Sequence, residues 1–260
     1  MEQLEMLRED LAQCDEILLN TLLMRNRIIE QIMSVKEAKN LPILQPEQEK
    51  KQAEWLEKAL EGNKHRNRVM SVFDAVVLNS KKIQARKLFN YNIVLIGFMG
   101  SGKTTISNYL STLFAMDIVD MDKIIAEREG MSISDIFETH GEQYFRDAET
   151  NLLIEMQSRK NVVISCGGGT PLRECNVVEM KKNGKVVLLT ADPEVIFNRV
   201  KDSHDRPLIE NNKNVEFIRN LMESRRAKYE AAADIVITTD HKTELEICEE
   251  LVQRLTKPEE

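Results

Sequence analysis

Residues 91 to 105 read Tyr-Asn-Ile-Val-Leu-Ile-Gly-Phe-Met-Gly-Ser-Gly-Lys-Thr-Thr, a short apolar run that empties into Gly97-x-x-x-x-Gly102-Lys103-Thr104. Ile93 to Ile96 is β-rich, and from Thr105 to Phe114 the apolar residues Ile106, Leu110 and Leu113 recur at helical spacing. Strand, glycine loop and helix in that order leave backbone N–H groups bare of side chains at a helix N-terminus, where the dipole favours an anion. This is the P-loop pattern. It predicts a nucleoside triphosphate site formed by Gly97, Gly100, Ser101, Gly102, Lys103, Thr104 and Thr105. Lys103 is placed to reach the β- and γ-phosphates and the Thr104 hydroxyl to ligate Mg²⁺.

A chain of 260 residues exceeds one average domain, and two are expected. Residues 1 to 88 carry 15 basic against 14 acidic side chains, and the remainder 21 against 29, so the net charge of −7 is concentrated in the second part. An acidic surface argues against nucleic acid as a partner, and anionic ligands must be met by a few local cations. Cys14, Cys166, Cys175 and Cys248 show no CxxC spacing, which fits thiols in a reducing cytosol. The amphipathic, charged N-terminus lacks an apolar leader core, and no run approaches 18 apolar residues, so a cytoplasmic protein without a membrane partner is expected.

From Gln3 to about Lys39 there is neither Gly nor Pro, and Leu4, Leu7, Leu11, Leu18, Leu22, Ile29 and Ile32 recur at helical intervals. One helix of roughly 55 Å follows, too long for a small domain to cover. Second and third helices are predicted at Glu47–Leu60 and Arg66–Lys87, separated by Glu61-Gly62-Asn63. Three helices with one overlong predict a dimer in which two chains complete each other's core. Arg25 and Lys36 are eleven apart and share a face, as do Ser80 and Gln84 on the third helix. Arg8 lies about 25 Å along the helix from Arg25 and can join the same pocket only from a partner chain.

Leu7-Arg8, Asp15, Leu18-Leu19, Arg25, Val35-Lys36-x-x-Lys39, Leu41-Pro42-Ile43, Glu49 and Asn79-Ser80-x-x-x-Gln84 give residues 3 to 88 a resemblance to the all-helical class of chorismate mutase. The resemblance implies a chorismate or prephenate site. In it Arg8 of one chain and Arg25 of the other hold carboxylates, Lys36 and Gln84 meet the ether oxygen, Glu49 meets the ring hydroxyl, and Ser80 lies alongside. Two positions depart from the family. Gln45 stands where the second helix usually opens with Asp, and Gln48 where an Arg usually precedes the Glu. Losing one charged hydrogen bond to a dianion costs on the order of 1.5 to 3 kcal/mol. The same residues also suit a solvated face on a module that only dimerises the protein or senses a metabolite.

Beyond the P-loop, Met116–Val119 reads as a strand delivering Asp120-Met121-Asp122 at its C-terminal end, where ligands sit in open α/β sheets. The two carboxylates are expected to point the same way, with Asp120 holding Mg²⁺; a helix cap is the other reading of the first. Ile133–His140 is a short helix, and Gly141-Glu142-x-x-Phe145-Arg146-x-x-Glu149 opens a longer one. Asn161–Ser165 is a strand followed by Gly167-Gly168-Gly169, then a helix expected to begin at Pro171. Two more strands are predicted at Lys185–Thr190 and Asp234–Thr238, with helices around 192–201, 214–232 and 242–255. Residues 201 to 213, polar except for Pro207-Leu208-Ile209, read as a lid carrying Arg206.

Together the P-loop, Asp120-x-Asp122, the Gly141 to Glu149 run, the glycine triplet, Arg199 with Arg206-Pro207-Leu208, and Arg225-x-x-x-Tyr229 resemble shikimate kinase, from about Asn92 to the C-terminus. That resemblance implies a nucleoside-monophosphate-kinase-like P-loop fold with a five-stranded parallel sheet, a domain division at 1–88 and 89–260, and ATP and shikimate as substrates. Asp122, Arg146, Glu149, Gly168, Gly169 and Arg225 are then the shikimate residues, and Arg199 and Arg206 join the ATP site. Lys103, Asp122 and Arg206 are the catalytic set, and Thr104 and Asp120 hold Mg²⁺. A gluconate or nucleotide kinase of the same fold would not need both Arg146 and Arg225. The two implied reactions belong to one route, to aromatic amino acids, at non-consecutive steps.

Overall fold

The computed structural model describes residues 2–39, 41–201 and 214–256. The chain divides into two compact units, Met1–Lys87 and Leu88–Glu260. Among the described residues no helix is long and apolar enough to cross a membrane.

The first unit is three helices: α1 (Glu2–Ala38), α2 (Pro46–Ala59) and α3 (Arg66–Leu88). Pro46 opens α2, where its missing N–H costs no helical bond. Gly62 between α2 and α3 takes a left-handed φ of 71°. On α1 only the face bearing Ile29, Met33 and Lys36 is buried, and Leu44 and Leu56 join this small core. Trp55 of α2 meets Phe73 of α3 edge-on, with ring centroids 6.4 Å apart. The stripe Leu4, Leu7, Leu11, Ile17, Leu18 is exposed in the single chain.

In the second unit five parallel strands, β1 (Asn92–Ile96), β2 (Asp117–Asp120), β3 (Val162–Ser165), β4 (Gly184–Thr190) and β5 (Ile235–Thr238), form a sheet ordered β2-β3-β1-β4-β5. Every residue of β1 is buried, as a central strand covered on both faces requires. The connections run to one side of β1 and then to the other. That reversal opens a crevice at the C-terminal ends of the strands, and α4 (Lys103–Phe114) begins there. The core is Val94, Ile96, Val119, Ile164 and Leu188 under the helices α5 (Met121–Glu129), α6 (Ile133–Glu155) and α7 (Glu174–Lys182). A second cluster joins Phe98 to Ile196 and Val200 of α8 (Pro193–Val200) and Ile218 of α9 (Val215–Ala232). The last element is α10 (Glu244–Thr256).

Three local expectations change. No helix starts at Pro171: Thr170–Leu172 is a single 3₁₀ turn closed by Thr170 N–H on Gly167 O (3.2 Å) and Leu172 N–H on Gly169 O (3.1 Å), and α7 begins at Glu174 after an extended Arg173. Helix α5, absent from the sequence reading, follows β2 at once. Asp120 therefore ends the strand while Asp122 sits in the first helical turn, so strand alternation is not what aligns them. The break expected before Gly141 is a kink inside α6, where Gly141 has φ 82° and ψ 166°.

Candidate active site

The loop from Gly97 to Gly102 is shaped by three glycines with positive φ. A Cβ on Gly97 would run into the Leu189 carbonyl, and one on Gly100 would meet Val200 Cγ1 of α8 at 2.7 Å. The loop can therefore lie flat on β4 and α8 only without those side chains. Lys103 Nζ donates to the carbonyls of Gly97 (2.8 Å) and Phe98 (3.1 Å), which curls the loop around its ammonium. Ser101 is completely buried, so its side chain faces the protein while its neighbours face the crevice.

The crevice is a cleft of about 510 Å³. Gly100, Gly102, Lys103, Thr104 and Thr105 of the loop, Asp120 and Asp122 at the end of β2, Gly167 and Gly168 after β3, and Arg199 of α8 all line it. Asp120 caps α5, accepting from Lys123 N–H at 3.2 Å, so the capping role holds together with a place on the cleft wall. Burial pushes the Asp122 carboxyl up to about 6, reinforced by the Glu149 and Asp120 charges and opposed by Lys103 and Arg146. A hydroxyl at Thr104 and a carboxylate at Asp120 on one cleft suit Mg²⁺, which takes few protein oxygens and fills its remaining positions with water and phosphate.

Next to the cleft stands a second group. Glu149 is fully buried; one of its oxygens takes Arg146 Nη1–H at 2.8 Å and the other takes the Thr170 hydroxyl. The Arg146 guanidinium also donates through Nε and Nη2 to Glu142 (3.1 and 3.0 Å) and stands over the Phe145 ring, 5.5 Å from its centroid. Burial alone would lower its pKa, but Glu149 and Glu142 outweigh burial and raise it. The guanidinium lies where a Gly169 Cβ would be, and a Gly167 Cβ would meet Asp122 Oδ1 at 2.6 Å and Glu149 Oε1 at 3.0 Å. The glycine triplet is thus the gap that lets Arg146, Glu149 and Asp122 approach one another. Tyr229 OH holds it by donating to Gly168 O at 2.6 Å. Arg225, one turn before Tyr229, carries its guanidinium 6.0 Å from the Phe98 ring centroid. Arg206 lies outside the described residues.

At the far end of the cleft Arg199, expected at the nucleotide, meets Thr239, which sequence reasoning missed. Arg199 donates to Gly100 O (3.1 Å), Thr239 Oγ1 (3.0 Å) and Thr239 O (3.2 Å). The buried Thr239 hydroxyl lies 3.2 Å from Ser101 O and 3.1 Å from Thr190 O and donates to one at a time. Thr239 therefore ties the P-loop to the end of β5, and Lys242, Glu244 and Ile247 continue the wall. Nothing in the local sequence Thr-Thr-Asp-His marks this role; only the strand order brings β5 near the loop.

In the helical unit, Arg25 reaches from α1 to α3, donating to the Ser80 hydroxyl and to Val76 O (3.4 Å). Lys36 is buried and donates to Ile43 O at 2.8 Å. Burial lowers the pKa of both. Glu49 of α2 pairs with Lys81 of α3 at 2.9 Å. Gln84 is half-buried on α3, whereas Gln45, at the N-cap of α2, makes no side-chain cap and, like Gln48, is exposed. Arg8 is exposed and pairs with Glu5 of its own helix, away from the others.

Comparison with known proteins covers both units. A family model described as Shikimate kinase matches residues 99–256, and one described as Chorismate mutase type II matches residues 7–85. A shikimate kinase of Caldanaerobacter subterraneus subsp. tengcongensis is 42% identical over 166 residues, 64% of this chain and 96% of the relative. One from Sulfurihydrogenibium sp. is 41% identical, covering 64% of this chain and 98% of the relative. Among solved structures, shikimate kinase from Acinetobacter baumannii in complex with shikimate superposes with a TM-score of 0.57 at 33% identity, over 64% of this chain and 90% of that one. The enzyme from Aquifex aeolicus gives 0.55 at 39% identity, over 63% and 95%. With Lys103, the glycine triplet and the arginine pair inside the matched region, the chain belongs to the shikimate kinase family, and residues 7–85 ahead of the kinase unit are similar to type II chorismate mutase.

Proposed function

We propose that the C-terminal unit transfers the γ-phosphoryl group of ATP to a hydroxyl of shikimate, giving ADP and shikimate 3-phosphate. The observation that carries this reading is the approach of Arg146 and Glu149 to Asp122 through the glycine triplet, beside a P-loop lysine on the same cleft. The acceptor must bring a carboxylate for the arginines and hydroxyls for Asp122 and the Gly168 and Gly169 amides. A guanidinium grips a carboxylate through paired N–H groups, and Glu149, itself sealed from water, fixes the orientation of Arg146. Asp122 takes the proton as the acceptor oxygen attacks the γ-phosphorus and the bond to the bridging oxygen of ADP breaks. A carboxyl poised near neutrality suits that role. Gly97, Gly100, Gly102 and the backbones of Ser101 and Thr105 hold the phosphates, Arg199 and Thr239 brace the nucleotide end, and Arg206 is assigned to the transferred group by resemblance. Lys103 offsets the charge that spreads over that group. Thr104 and Asp120 would hold Mg²⁺, which neutralises phosphate charge when bound.

The N-terminal unit, by its own resemblance to chorismate mutase, rearranges chorismate to prephenate as a homodimer. In that assembly Arg8 of one copy joins Arg25, Lys36, Glu49, Ser80 and Gln84 of the other. The exposed stripe from Leu4 to Leu18 supports the pairing, since a free helix face of that length leaves apolar surface in water.

A coupled assay of the full chain with ATP and shikimate, then with chorismate alone, tests both parts. Turnover of shikimate but not gluconate is expected. Arg146→Ala should raise the KM for shikimate about tenfold or more while leaving that for ATP unchanged. An equal loss for both substrates removes the clamp assignment. Binding of chorismate or prephenate without turnover would instead make the helical unit a sensor, and a change in kinase rate with saturating prephenate would then be its output.

A further inference from the structure

The inward arc of α3 runs through the half-buried Phe73, Val77 and Gln84 and the buried Ser80, and Lys81 falls on the same arc with its side chain only 17% exposed. Its neighbour Lys82 is exposed. A lysine drawn out of water on an inward helix face needs an anion, and Lys81 Nζ has the Glu49 carboxylate at 2.9 Å. Glu49 directly follows the uncharged Gln48, where the resemblance to chorismate mutase implies an arginine. Ser80, adjacent to Lys81, receives the Arg25 guanidinium, so Arg25, Ser80, Lys81 and Glu49 form one chain of contacts from α1 through α3 to α2.

We propose that Lys81 supplies the positive charge that position 48 does not, so that the helical site keeps its balance for a dicarboxylate by moving one cation from α2 to α3. The inference rests on the chorismate reading of this unit. A dianion entering beside Glu49 meets repulsion unless that carboxylate is offset, and the Lys81 ammonium beside it supplies that positive charge. Lysine acts here as a compact point charge on a flexible stem, which suits a site reached from a different helix.

The test uses the full-length protein and follows chorismate loss. Lys81→Met should lower kcat/KM at least about tenfold, mainly through KM, whereas Lys81→Arg should keep most of it. Adding Gln48→Arg to Lys81→Met should restore the activity, an outcome that a merely structural lysine would not produce. Unchanged kcat/KM in Lys81→Met overturns the proposal. So does failed rescue in a double variant whose thermal unfolding matches the parent. If the parent binds chorismate by calorimetry without turning it over, the same variants are read by Kd with the same expectations. If the parent neither binds nor converts chorismate, the chorismate reading itself falls and this inference with it.

Discussion

The two units build their sites from different material. The kinase site is framed by backbone that positions its side chains: glycines that allow close approach, amides at a helix start, and strand ends converging on a crevice, all inside one compact body. The helical site is made of side chains projecting from three rods, while Arg8 and much of the α1 stripe stand in solvent. A backbone site ties residue type to geometry, because a Cβ at Gly97 would meet the backbone of Leu189 and one at Gly169 would displace the Arg146 guanidinium. A side-chain site lets charge move between helices without changing the fold, as Gln48 and Lys81 illustrate.

The sharpest way to break this contrast is Lys103→Ala. Phosphoryl transfer should fall on the order of a thousandfold while chorismate turnover stays at the parent level; loss of both activities would show that the units do not act separately. Next, Leu11→Glu places a charge in the exposed stripe of α1. Sedimentation should report a monomer, and chorismate turnover should drop on the order of a hundredfold with kinase activity retained, as the proposed pocket shared between copies requires. A variant that remains dimeric and active would end the shared-pocket idea.

Gly169→Ala probes the backbone site directly. Its Cβ collides with the Arg146 guanidinium, so kcat/KM for shikimate should fall about a hundredfold with little change in the KM for ATP. An equally large effect of Gly168→Ala, where the nearest atom is Tyr229 Oη at 3.7 Å, would mean that flexibility rather than close approach explains the triplet. The smallest expected effect is at Thr239→Val. Removing the hydroxyl that braces Arg199 and Ser101 should raise the KM for ATP roughly fivefold, in line with one buried hydrogen bond, and leave shikimate unaffected.

Legibility in the sequence followed the same division. The P-loop was legible because the positive φ of Gly97, Gly100 and Gly102 ties residue type to conformation, and the strand-end carboxylates and the glycine triplet because each is a short contiguous run after a strand. Lys81 drew no reading, because nothing within the helix tells which of Lys81 and Lys82 faces inward until α2 brings Glu49 against it. Thr239 was invisible for a related reason: its partners Arg199, Ser101 and Thr190 lie far from it in the chain and meet it only through the order of the strands.

By itself, then, the sequence determined the α/β kinase fold, the helical segment and most of the residues that line the cleft, because glycine conformations and hydrophobic periods are local properties. Tertiary structure decided how these groups serve one another. It set Asp120 as both cap and cleft wall, sealed Glu149 beneath Arg146, turned the glycine triplet into the space they share, and paired Lys81 with Glu49. Those are relations between distant segments, and their free energies depend on burial and approach that no single stretch of chain encodes.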